Sequence, residues 1–96
     1  MPLFIAHLIV KKGREAEFEK LQTELSELTH ELEPDCLAYD VIRHKEKPQT
    51  YVVYARFKDE AAFEMHQKND FHDRLVPPIL DCLEEEMDLH FYDWIA

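Results

Sequence analysis

Six histidines and four tyrosines stand in a chain of 96 residues, enough to make proton transfer the first chemistry to consider. A neutral imidazole with a pKa near ~6.5 can take a phenolic proton and return it close to neutrality. His66 is the leading candidate base, because its spacing places it on the helical face of Phe63 that turns toward a sheet. The plainer role there is a helix-end histidine bonded to a backbone carbonyl. His72 follows six residues later, which is not a same-face spacing on one helix, and reads as a surface residue. His7 lies between apolar residues of an extended run and could line a pocket or a barrel interior, with a satisfied buried imidazole as the ordinary reading. His90 shares a strand face with Tyr92 and Trp94 and reads as packing. His30, near the end of a long helix, suits the helix dipole as a cation, and His44 closes a strand in solvent.

Other residue types narrow the chemistry. No His-x-His or His-x-x-His spacing occurs, and Cys36 and Cys82 are not spaced as a clip, so no metal is expected. The two cysteines sit in different elements among apolar neighbours and read as reduced, buried side chains. No basic group stands beside Cys36, which favours core packing over reactivity. Tyr39, Tyr51, Tyr54 and Arg56 fall on neighbouring strands. A buried tyrosine offers an apolar ring and one hydroxyl, which suits an aromatic ligand; ordinary sheet packing is the alternative for each. Arg56 and Asp40 could instead pair across a hairpin or across a dimer. Gly13 is the only glycine, so no glycine-rich phosphate loop exists and nucleotide or flavin binding through one is excluded.

These residues need elements to hold them. Residues 3–10 are an apolar run of strand formers closed by Lys11-Lys12-Gly13. From Arg14 the period changes: Phe18, Leu21, Leu25, Leu28 and Leu32 form one stripe of a long helix, which Pro34 stops. Leu37, Tyr39 and Val41 then alternate with Asp40, and residues 50–58 are dense in β-branched and aromatic types, so the two segments read as a hairpin. Asp59 is an N-cap for a short helix through Ala62, Phe63 and His66. Asp70 caps another segment with Phe71, Leu75, Ile79 and Leu83 at helical spacing, where Pro77 and Pro78 predict a kink or a fresh start. Met87, Leu89, Phe91 and Ile95 alternate with Asp88, His90, Tyr92 and Trp94 as a last strand. The order β-α-β-β-α-β predicts an α+β fold of the ferredoxin-like kind, a four-stranded antiparallel sheet with helices on one face. Large apolar side chains remain on the other face, and a second copy packed sheet to sheet is the simplest cover.

Bulk properties agree. Ninety-six residues suit a single domain over 1–96. The apolar share is 46% and the charged share 33%, and no run approaches a spanning helix. A formal net charge of -10 repels phosphate backbones and anionic lipid, so neither nucleic acid nor membrane is an expected partner. The N-terminus carries no basic n-region followed by a long apolar segment, and the reduced cysteines point to the cytoplasm.

Taken in order, several stretches resemble the antibiotic-biosynthesis monooxygenase family over nearly the whole chain. They are Val10-Lys11-Lys12-Gly13 after the first strand, Glu15, Glu17 and Phe18 on an acidic helix, and Glu33-Pro34-Asp35-Cys36-Leu37-Ala38-Tyr39-Asp40. The run Tyr51 to Phe63 and a histidine at 66 complete the set. Where the family has a glycine after the proline, this chain has Asp35, and the family's second histidine falls one position late, at 72. The resemblance implies a dimeric α/β barrel with a pocket between sheet and helices in each subunit. It also implies oxidation of quinols or phenols without flavin, metal or other cofactor, with haem breakdown and sugar-phosphate isomerisation elsewhere in the family. Ala6, His66 and Val76 stand where the haem-degrading members have Asn, Trp and His, which disfavours haem. The reading is therefore a cofactor-independent monooxygenase of a small aromatic or quinol-like substrate. His66 is its base, and Tyr39, Tyr54, Arg56 and Phe71 contact the substrate. A non-enzymatic ligand-binding or stress-related dimer and a sugar-phosphate isomerase are the alternatives.

Overall fold

The opening apolar run forms β1 (Pro2–Ile9) in the computed structural model, which describes residues 1–96. After it come α1 (Glu15–Leu32), β2 (Cys36–Arg43), β3 (Thr50–Phe57), α2 (Glu60–Gln67), α3 (Asp70–Asp81) and β4 (Asp88–Asp93). All pairings are antiparallel, in the order β2-β3-β1-β4, so β1 and β3 are central and β2 and β4 are edges. This is the ferredoxin-like α+β frame, with its second helical connection split in two. Gly13, with φ of 95°, is the only left-handed residue and turns the chain between β1 and α1. Asp35 follows Pro34 without positive φ, so glycine is not needed at that turn.

Alternation along β3 sorts the two faces. Tyr51, Val53, Ala55 and Phe57 are buried beneath the helices, whereas Val52, Tyr54 and Arg56 point to the other side. The register carries this outward: Phe4, Ala6 and Leu8 pair with Ala55, Val53 and Tyr51, so the centres of β1 and β3 share one core layer. On α1 the buried positions are Phe18, Gln22, Leu25 and Thr29, with Leu21 and Leu28 partly buried at the margin. α1 packs on β2 and α3, and α2 on β3 and α3.

Five expectations need correction. Leu32 is 56% exposed, and the buried stripe of α1 ends at Thr29. Leu37 does not share the face of Tyr39: a bulge between Cys36 and Ala38 turns it outward, and Cys36 takes the inward place opposite Phe57. α3 runs unbroken through Pro77 and Pro78, and its N-cap is Asn69 rather than Asp70. The carbonyls that the two prolines leave without an N–H donor belong to Asp73 and Arg74, both exposed, so water can satisfy them. His7 is exposed on the face away from the helices, beside Val52 in the register, and is not a buried histidine. By contrast, Asp59 caps α2 as expected, its Oδ1 accepting the Ala62 N–H at 2.9 Å.

Candidate active site

Between the helix-covered face of the sheet and the three helices lies a cavity of about 200 Å³. Its walls are mainly apolar, with Phe4, Ala6 and Leu8 from β1, Val53 from β3, and Leu89 and Phe91 from β4. The polar residues reaching it are Gln22, Tyr39, His66, Gln67 and His72. No lysine or arginine lines it.

His66 sits in the last turn of α2 with only 2% of its side chain exposed. Its Nδ1 lies 3.0 and 3.1 Å from Oε1 and Oε2 of Glu33, a carboxylate where a backbone carbonyl was the expected partner. Pro34 makes this contact possible. The helix must stop before it, and Glu33 becomes the C-cap of α1, its own N–H donating to the Thr29 carbonyl. The Glu33 side chain is then free to turn toward the end of α2. Asn69 Nδ2 donates to the same carboxylate at 3.2 Å. The imidazole is boxed by rings, with centroids 5.3 Å from Tyr39, 5.2 Å from Phe57 and 4.8 Å from His72.

Electrostatics follow from this burial. Loss of water pushes the His66 pKa down to about 4, so the ring is neutral at neutral pH. A neutral imidazole has one N–H, and the facing carboxylate draws it to Nδ1. Nε2 is left as a lone-pair acceptor with no protein partner, on a ring that lines the cavity. Glu33 is raised above the usual carboxylate range by its own burial, partly countered by the Asn69 hydrogen bond and by His72. His72 is lowered by burial and by His66. Burial also lifts the Tyr39 hydroxyl well above the usual phenol range, so it stays protonated and can donate.

The expected site residues separate. His66 and Tyr39 both line the cavity. Phe71 is buried in the core at 7% exposure but is not part of the cavity wall. Tyr54 and Arg56 stand on the opposite face of the sheet, where the Arg56 guanidinium lies 4.1 Å over the Trp94 ring and forms no ion pair with Asp40. His72, expected at the surface, is half-buried against His66, because the chain breaks helix between α2 and α3 and so escapes single-helix spacing. Glu33, Asn69 and Gln22 were not expected in the site. Gln22 carried a signal, being a polar residue within the buried α1 stripe. Glu33 carried none, since 33 residues separate it from its partner.

Cys36 and Cys82 are free and buried, as read from the sequence. Burial pushes the Cys36 thiol up to about 12, which rules it out as a nucleophile near neutral pH. No group of three or more His, Cys, Asp or Glu side chains is arranged to hold a metal ion.

The model of the family described as antibiotic biosynthesis monooxygenase matches residues 1–77. Among solved structures, an antibiotic biosynthesis monooxygenase is similar over 100% of both chains at 29% identity, with a TM-score of 0.91. A conserved protein from Methanosarcina mazei Go1 is 27% identical, with 95% of this chain and 89% of that one covered and a TM-score of 0.89. A protein from Caulobacter crescentus CB15 shares the fold at 23% identity, over 99% of this chain and 90% of that one, with a TM-score of 0.93. No curated protein matches the chain.

Proposed function

This chain belongs to the antibiotic biosynthesis monooxygenase family, and on that premise we propose that it oxidises a small quinol or phenol with dioxygen and no cofactor. The supporting observation is a neutral His66, oriented by Glu33 and presented to an apolar cavity. Nε2 takes the substrate's hydroxyl proton, and the Glu33 carboxylate steadies the imidazolium that forms. The electron-rich anion then reduces dioxygen directly. One oxygen atom stays on the ring carbon as a new hydroxyl and the other leaves as water, so a quinol and O₂ give a hydroxyquinone and H₂O with no outside reductant. Apolar walls favour a flat ring and keep bulk water from the reactive intermediate. The absence of lysine and arginine from the wall argues against a sugar phosphate.

In this proposal one domain spans residues 1–96 and works in the cytoplasm as a homodimer. The partner covers the sheet face that carries Ile42, at 60% exposure, Tyr92, at 48%, and Trp94, at 42%. No helix is long and apolar enough to cross a membrane.

Oxygen uptake with menadiol tests the reading. The wild type exceeds the uncatalysed rate, and His66→Ala falls to it. Equal rates for wild type, variant and buffer overturn the oxygenase. A retained apolar molecule in native mass spectrometry, with no oxygen uptake, leaves a binding protein instead.

A further inference from the structure

The buried stripe of α1 contains a residue, open to the cavity, that packing alone does not explain. Gln22 lies between Phe18 and Leu25 and is 4% exposed, yet its Oε1 has no hydrogen-bond partner. A buried amide oxygen left unpaired destabilises the fold, and an apolar residue in its place would not. Thr29, about two turns further along the stripe, also has an unpaired oxygen, but it does not reach the cavity. Gln22 does, and it belongs to α1 whereas His66 belongs to α2.

We propose that Gln22 is the second polar anchor of the cavity, and that its ligand is a one- or two-ring aromatic with two oxygen substituents, one at His66 and the other at Gln22. This deepens the proposed function and rests on its reading of the cavity as the substrate site. An amide suits the task because it can serve either oxidation state. Its nitrogen donates to a ring carbonyl, and, turned over, its oxygen accepts from a ring hydroxyl. The remaining wall is largely apolar and satisfies the ring faces. A cavity of about 200 Å³ suits one or two rings and is too small for an extended polycycle. A ligand with a single hydroxyl would leave either the amide or the imidazole unpaired, which is how a buried polar group selects.

Anaerobic titration calorimetry at neutral pH with naphthalene-1,4-diol, 1-naphthol and naphthalene tests this without oxygen chemistry. The wild type is expected to bind the diol about tenfold more tightly than 1-naphthol, the contribution of one buried hydrogen bond. Gln22→Leu is expected to bind diol and naphthol alike and to melt at a higher temperature. Should Gln22→Leu fail to fold, Gln22→Met keeps the length and flexibility of the side chain and carries the same expectation. The proposal is overturned if the wild type binds none of the three, if it does not distinguish diol from naphthol, or if the folded variant keeps the preference. A preference for the diol that depends on Gln22, in a protein that consumes no oxygen, removes the oxygenase and leaves this inference standing.

Discussion

What His66 can do is set by a residue far from it in sequence. The Glu33 carboxylate fixes the Nδ1–H tautomer and would carry the counter-charge when Nε2 is protonated. In Glu33→Gln an amide oxygen can still accept the Nδ1 proton, but the counter-charge is gone. Oxygen uptake at saturating menadiol is expected to fall about ten- to a hundred-fold, as when other orienting partners of a histidine are removed. The same burial links stability to pH. Native His66 titrates near 4, against 6.5 when unfolded, so between these values the unfolded chain holds a proton that the native chain refuses. Stability from this group is therefore complete above pH 6.5 and falls as pH drops toward 4. Glu33 works in the opposite sense. Its folded pKa is raised, so its contribution weakens as pH climbs above 4.5. Urea unfolding at pH 7 and pH 5 should show the wild type losing stability on the acid side and His66→Leu losing less. The His66 position was legible, because three-residue spacing from Phe63 marks the inward face of a short helix. Its carboxylate partner was not, since a proline-terminated helix end does not announce which distant helix end it meets.

At the scale of elements, the junction between α2 and α3 does the positioning. Lys68 and Asn69 interrupt the helix, and the new start brings His72 back against His66 while Asn69 holds Glu33. The break was readable in Asp70, expected as a cap, but the cap is Asn69, one residue earlier. Strand and helix order were legible because the periods of two and 3.6 separate cleanly here. The face taken by Leu37 was not, because a bulge depends on how two strands pair and not on the alternation within one. Nor was the continuity of α3 through two prolines, which depends on where the undonated carbonyls end up. The cap at the head of α2 offers a direct check. Asp59→Ala is expected to cost about 1 kcal/mol, read as a lower urea midpoint at unchanged slope, with the cavity intact.

Across the whole molecule the two faces of the sheet divide the work. The helix side encloses the cavity, and the bare side carries Ile5, Ile42 and Val52. That division was legible from alternation, but which face Tyr54 and Arg56 take depends on the register, which sets them on the bare side. Val52→Glu places a charge in the middle of that face, and sedimentation at micromolar protein is expected to show the wild type as a dimer and the variant as a monomer with its helical content unchanged. The edges tell a different story. β4 pairs only with β1, and all six of its side chains are exposed, so its outer row of amides and carbonyls is an open template for another strand. An acid stands at each end, Asp88 and Asp93. They act as gatekeepers, since a second β4 arriving in antiparallel register meets like charge at both ends. Erasing that repulsion in Asp88→Asn/Asp93→Asn should let chains grow edge to edge into thioflavin-binding ribbons under conditions where the parent protein stays clear.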